Sequence, residues 1–187
     1  MAEKGRGSTS PNPVVGALVV KDNKIVGEGW HQFAGGPHAE VVAINKAQGL
    51  AKGSTLYITL EPCSSYGRTP PCTDFIIRAG IKKVVYGITD PNPKHSGLAK
   101  KNLTDAGIEV VCPILEERCR EANESFFKWI KTGLPFLTLK LAVTLDAKIA
   151  NSNGNSRWIT SPITRKRVQK LRAAADAILI GSETLRN

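Results

Sequence analysis

One histidine and two cysteines, far apart in the chain but each preceded by a proline, constrain this sequence more than any other feature. They stand in Pro37-His38-Ala39-Glu40, Pro62-Cys63 and Pro71-Cys72. One imidazole and two thiolates form a borderline-soft donor set that suits Zn²⁺. Three protein ligands leave a fourth position for water, as catalytic rather than structural zinc sites do. Glu40, two residues from His38, is placed to serve that water without binding the metal. A closed structural site would need a fourth protein ligand. The other two cysteines, Cys112 and Cys119, begin 40 residues beyond Cys72 with no histidine near them, and read as free thiols. A fold that uses the three donors together must bring all three segments to one point.

The flanking residues suggest how. Residues 54–60 (Ser-Thr-Leu-Tyr-Ile-Thr-Leu) read as a buried strand running directly into Glu61-Pro62-Cys63. Residues 73–79 read as a helix closed by Gly80, and residues 38–47 as a helix that starts after the break at Gly35-Gly36-Pro37. The ligands then fall at or just before two helix N-termini, a position that favours thiolate over thiol. Residues 14–20 and 25–29 read as a hairpin around Lys21-Asp22-Asn23-Lys24. Further strands are expected at 83–88 and 108–111, and helices at 97–106 and 116–131. Asp90-Pro91-Asn92-Pro93 forms a loop after a strand, where open α/β sheets bind their ligands. The alternation predicts a three-layer α/β/α domain over residues 1–133. A second unit, residues 134–187, should contain strands at 135–143 and 177–180. Between them a helix begins at Ser161-Pro162, with Ser as N-cap and Pro at the first helical position, and runs to about Ala174. Two strands and one helix make a poor independent core, so this stretch reads as the opening of a larger α/β domain.

Bulk properties narrow the class. With 41% hydrophobic residues the chain can bury a core. No apolar run is long enough for a membrane span, and Met1-Ala2-Glu3-Lys4-Gly5-Arg6 lacks a signal-peptide core, so a cytoplasmic protein without membrane contact is expected. Cysteines claimed by a metal rather than by disulfides agree with a reducing compartment. The net charge is +10, and residues 134–187 hold nine basic and three acidic side chains. A basic surface serves nucleic acids or phosphorylated metabolites. Aromatic residues are only 6% of the chain, too few for base-stacking platforms, which favours a phosphorylated small molecule over nucleic acid.

The His-x-Glu pattern followed by Pro-Cys and a further Cys is that of zinc deaminases, in which the glutamate is general acid/base and not a ligand. More specifically, the chain resembles the bacterial bifunctional riboflavin-biosynthesis deaminase/reductase family. The resemblance rests on residues 12–17 (Asn-Pro-Val-Val-Gly-Ala), 35–40 (Gly-Gly-Pro-His-Ala-Glu) and 59–72 (Thr-Leu-Glu-Pro-Cys-Ser-Ser-Tyr-Gly-Arg-Thr-Pro-Pro-Cys). It continues through Asp90-Pro91-Asn92-Pro93, Thr132-Gly133-Leu134-Pro135 and Ser156-Arg157-Trp158-Ile159-Thr160-Ser161. Eight residues separate the two cysteines, whereas most nucleobase deaminases have two.

The resemblance implies a cytidine-deaminase-like domain that removes ammonia from 2,5-diamino-6-ribosylamino-4(3H)-pyrimidinone 5′-phosphate. It also implies a dihydrofolate-reductase-like domain, here only begun, that reduces the ribose of the deaminated product, 5-amino-6-(5-phosphoribosylamino)uracil, with NADPH. Zinc would sit on His38, Cys63 and Cys72, with Glu40 catalytic. Asn12, His31 and Arg68 are expected to contact the deaminase substrate, His31 and Arg68 at its phosphate. Family equivalence places NADPH contacts at Ala142, Trp158 and Thr184, and ribose-phosphate contacts at Ser156 and Arg172. A homo-oligomer is compatible with this reading. The chain departs from the family pattern at Ser65, often His; at Ala147, often Gly; and at Leu98-Ala99, after a Gly that usually precedes x-Gly. The truncated reductase half is not expected to turn over. Two other readings remain: another nucleoside or tRNA deaminase, and a non-catalytic zinc-binding module.

Overall fold

The computed structural model describes residues 1–67 and 70–186. They divide into two units, Met1–Phe136 and Leu137–Asn187.

The first unit is built on a five-stranded sheet. β1 (Gly16–Lys21) and β2 (Lys24–Trp30) form an antiparallel hairpin. Its two turn residues, Asp22 and Asn23, both take positive φ, at 49° and 60°. That conformation matches the right-handed strand twist in a two-residue hairpin, and Asp and Asn tolerate it best after Gly. β3 (Thr55–Ile58) pairs antiparallel with β1, and β4 (Lys83–Tyr86) and β5 (Glu109–Val111) continue in parallel. The order β2-β1-β3-β4-β5 therefore gives a mixed sheet whose parallel half is joined by helical crossovers. The α/β architecture implied by the resemblance is the one observed.

Alternation along the strands sets the core. Ala17 and Val19 of β1, Leu56 and Ile58 of β3, and Val84 and Tyr86 of β4 all face one way. Against them pack α1 (Ala39–Ala47) through Ala39, Ala43, Ile44 and Ala47, α2 (Cys72–Arg78) through Ile76, and α3 (Leu98–Asp105) through Leu103. The small residues of α1 let it lie very close to β2. A Cβ on Gly29 would stand 2.5 Å from the Ala39 carbonyl oxygen, and one on Gly27 would collide with the Ala43 carbonyl. A second apolar cluster joins Leu60 and Ile88, just past β3 and β4, to Phe127, with Val15, Cys119 and Phe126 against it.

Two features differ from the sequence reading. The helix expected over residues 116–131 is two helices, α4 (Glu116–Ala122) and α5 (Glu124–Thr132), broken at Asn123. The buried Asn123 side chain accepts from the Val14 N–H at 2.8 Å and donates to the Val14 carbonyl at 2.9 Å. It thus pairs both backbone groups of Val14 as a neighbouring strand would. For the same reason β1 begins at Gly16 and not at Val14.

The second difference lies in residues 137–186. The expected strands at 135–143 and 177–180 form no ladder, because a strand needs a hydrogen-bonded partner and none stands beside them among the described residues. The helix is as expected: α6 (Pro162–Ala173) has Ser161 as N-cap, its side chain accepting from the Thr164 N–H at 3.3 Å. A short α7 (Ser182–Arg186) follows. No described residue of this unit is buried. No helix of the described chain is long and apolar enough to cross a membrane.

Candidate active site and metal centre

Three chain segments meet beside the C-terminal end of β3. His38 is the N-cap residue of α1, with extended backbone at φ −71° and ψ 158°. Cys63 follows β3 by five residues, and Cys72 opens α2. The last turn is tied back by two bonds. The Cys72 N–H donates to Cys63 Sγ at 3.3 Å, and the Thr73 N–H donates to the Cys63 carbonyl at 3.1 Å. The start of α2 thus holds Cys63 in place, although eight residues separate the two cysteines.

The ligand atoms of His38, Cys63 and Cys72 all lie within 4.8 Å of one another, and this is the metal-ligating group found among the described residues. His38 Nδ1 stands 3.1 Å from Cys72 Sγ and 3.5 Å from Cys63 Sγ. Tetrahedral zinc, with bonds of ~2.0–2.1 Å to nitrogen and ~2.3 Å to sulfur, needs N···S edges of about 3.5 Å. The donor set fits zinc, with the edge to Cys63 at the tetrahedral value and the edge to Cys72 about 0.4 Å short of it.

Electrostatics agree. A hydrogen bond from the Cys72 thiol, helped by His38, brings Cys63 down to about 4 and makes it a thiolate. The same Cys63–Cys72 bond, with burial, pushes Cys72 up. His38 is raised, first by its bond to Cys63. Protons are thus held among close donors, a place that a soft cation can take over.

Glu40 is 3% exposed, in the first turn of α1. Burial raises its carboxyl above the usual range, against the opposing pull of His38. Its Oε2 is buried without a hydrogen-bond partner, as are Ser64 Oγ and Thr73 Oγ1. Each of these atoms belongs to a residue one or two positions from a metal ligand. Unpartnered buried polar atoms are costly, and such a cluster beside a metal site is where water and substrate atoms are received.

A cleft of about 460 Å³ opens on this centre, lined by His38 and Cys63 together with Asn12, Gly35, Gly36, Ser65, Tyr66 and His95. Asn12 donates to His31 Nε2 at 3.1 Å, and His31 Nδ1 donates to the Pro37 carbonyl at 3.0 Å. A carbonyl can only accept, so the proton sits on Nδ1 and Nε2 accepts. His31 is 3% exposed, and burial lowers its pKa, keeping the ring neutral. The expectation that His31 contacts a phosphate is therefore corrected: both ring nitrogens are spent within the protein, and the residue holds Asn12 at the cleft. Arg68 lies outside the described residues.

Ser65, Tyr66 and His95 were not picked out as site residues from sequence. Ser65 Oγ lies 3.0 Å from His95 Nδ1. The His95 loop is anchored from beneath by Glu61, buried next to Pro62-Cys63. Its carboxylate accepts from the N–H groups of Asp90 and Gly97 on Oε2 and of Ala99 on Oε1, each at 3.1 Å. A Glu immediately before Pro-Cys was the available signal, but no local pattern says which loop it will hold.

In the second unit, Ala142 is half-buried and Ser156, Arg172 and Thr184 are exposed. Trp158 is 72% exposed, with the Arg165 guanidinium 4.1 Å from its ring centroid. These residues line neither of the two cavities described, and none is buried. A dinucleotide site needs an enclosed wall for the nicotinamide, so these residues do not by themselves fit NADPH.

A mixed sheet carrying a His/Cys/Cys cluster beside a buried glutamate with one unpartnered oxygen defines the cytidine-deaminase-like class. Residues 1–88 match the model of the cytidine and deoxycytidylate deaminase zinc-binding region, and residues 135–187 match that of the RibD C-terminal domain. The chain belongs to the family of bifunctional riboflavin-biosynthesis deaminase/reductases. The riboflavin biosynthesis protein RibD of Aquifex aeolicus is 55% identical over 185 residues, 99% of this chain and 52% of that protein. RibD of Escherichia coli is 49% identical over 99% of this chain and 50% of its own length. The crystal structure of the diaminohydroxyphosphoribosylaminopyrimidine deaminase/5-amino-6-(5-phosphoribosylamino)uracil reductase of Thermotoga maritima superimposes with a TM-score of 0.93. It is 47% identical, over all of this chain and 54% of that one. The chain spans about half the length of the curated relatives it matches.

Proposed function

We propose that residues 1–133 are a zinc-dependent deaminase acting on 2,5-diamino-6-ribosylamino-4(3H)-pyrimidinone 5′-phosphate. The observation that carries this reading is the convergence of three metal-ligating atoms within 4.8 Å beside a buried, unpartnered oxygen of Glu40, with His38 and Cys63 lining an open cleft. His38, Cys63 and Cys72 would hold the zinc. When bound, it supplies Lewis acidity that brings the pKa of a water down to about 7. Glu40 takes the proton that the attacking water gives up and returns protons to the ring nitrogen and the departing amine. The amine-bearing carbon gains an oxygen and loses its nitrogen as ammonia. Asn12, fixed by His31, presents its amide to the ring or ribose. Arg68, in the cysteine segment, is assigned to the phosphate.

Residues 134–187 are proposed as the opening part of the reductase domain. Ser156 and Arg172 would face ribose phosphate, and Ala142, Trp158 and Thr184 NADPH, in a domain with its full sheet. The 187-residue chain should therefore deaminate and not reduce.

The test is ammonia release by the purified chain, assayed on the pyrimidinone phosphate, on cytidine and on adenosine-containing RNA, with and without a zinc chelator. Chelator-sensitive release from the pyrimidinone phosphate is expected, with about one zinc per chain by metal analysis. Release from cytidine or RNA instead would favour another deaminase. A zinc-loaded, folded chain that releases ammonia from none of them would leave a binding module.

A further inference from the structure

The cleft has a side chain to which neither the metal nor the proton transfer gives a role. We propose that His95 is a substrate-contacting residue that recognises the anionic phosphate ester of the substrate through Nε2. Among the described side chains that line the cleft, His38 and His95 are the ones that can carry positive charge, and His38 is claimed by the metal. Asn12, Ser65 and Tyr66 offer neutral polar groups only. Ser65 Oγ engages Nδ1 of His95 at 3.0 Å, which orients the ring and leaves Nε2 as its free polar atom. The ring is also held in place from behind. Glu61 binds three backbone N–H groups of residues 90–99, and the His95 N–H donates to the Asn92 carbonyl at 2.9 Å. Asp90, whose carboxylate accepts from the Asn92 N–H at 2.8 Å, adds a further tie within the same loop. A preoriented imidazole that shares a cleft with two of the metal-ligating residues, His38 and Cys63, matches a substrate whose reacting ring and phosphate lie at opposite ends.

The inference deepens the proposed function, since it assumes a phosphorylated ribosyl substrate. Its test is separable from turnover. Ribose 5-phosphate and ribose are titrated by calorimetry into the zinc-loaded 187-residue chain and into its His95→Ala, His95→Gln and Ser65→Ala variants. His95→Ala should weaken ribose 5-phosphate binding about tenfold or more and leave ribose unchanged, as expected for loss of a hydrogen bond to a charged group. His95→Gln, which keeps a donor but no charge, should fall between. Ser65→Ala should weaken ribose 5-phosphate binding by less than His95→Ala does. His95 sits on a surface loop, and unchanged zinc content and circular dichroism would establish that the variants fold. Equal affinity for ribose 5-phosphate in wild type and His95→Ala, equal losses on both sugars, or no wild-type binding would each overturn the assignment. Binding through His95 in a chain that does not deaminate the pyrimidinone phosphate would sink the proposed function and keep this site.

Discussion

Glu40 is the residue on which the proposed chemistry turns, and its burial makes the prediction sharp. Its Oε2 has no partner to lose, so Glu40→Gln should leave fold and zinc content intact. Turnover should fall by about 10²-fold or more, the usual worth of a general acid/base. A helix-capping role predicts the reverse, lower stability with chemistry unchanged, and steady-state ammonia release together with thermal melting separates the two. The candidate zinc donors and Glu40 could be picked out from sequence because each stands in a short motif with its own neighbours, and the fold brings the three donors together. The role of His31 was not. Its ring looked available for a phosphate, but only the fold reveals that the Pro37 carbonyl and Asn12 take both nitrogens. Ser65 and His95 are 30 residues apart, and nothing in either segment announces their contact.

Single buried contacts decide how neighbouring elements meet. Asn123 splits one apolar-periodic stretch into α4 and α5 and clamps Val14, two residues from Asn12 in the cleft. Asn123→Ala should destabilise the first unit by about 2–4 kcal/mol, since two buried backbone groups of Val14 lose their partner. Asn123→Asp, which keeps the acceptor and loses the donor, should cost less. Urea denaturation measures both. The packing of α1 on β2 is equally specific. Gly29→Ala would push a Cβ to 2.5 Å from the Ala39 carbonyl and 2.6 Å from the Ala43 nitrogen, both rigid backbone. A loss of about 1–3 kcal/mol is expected from such overpacking. Because α1 carries Glu40, ammonia release should fall as well, beyond what the unfolded fraction explains.

At the scale of the molecule, the first unit holds every buried residue among those described. The second exposes a run of alternate apolar side chains, with Leu137 82%, Leu139 85% and Leu141 63% exposed. Residues 1–136 expressed alone should therefore fold, bind zinc and release ammonia within about threefold of the full chain, because this unit carries its own buried core. The 187-residue chain should not oxidise NADPH in the presence of deaminated substrate. Robust oxidation, followed at the absorbance of the reduced nicotinamide, would show that residues 134–187 form a reductase site as they stand.

The sequence by itself determined the identity of the donors, the period of the strands and helices, the hairpin turn at Asp22-Asn23 and the N-cap of α6. The periods, the turn and the N-cap depend on residues within one or two turns of chain, and each donor on its own short motif, where side-chain chemistry and backbone preference act directly. Tertiary structure decided the rest: which loop Glu61 would hold, that Asn123 would end a helix in order to pair Val14, that His31 would serve Asn12, and that the strand-like segments of residues 135–143 and 177–180 would find no partner. These outcomes follow from contacts between groups distant in sequence. A strand exists only against another strand, and a buried polar group only with the partner that the fold delivers to it.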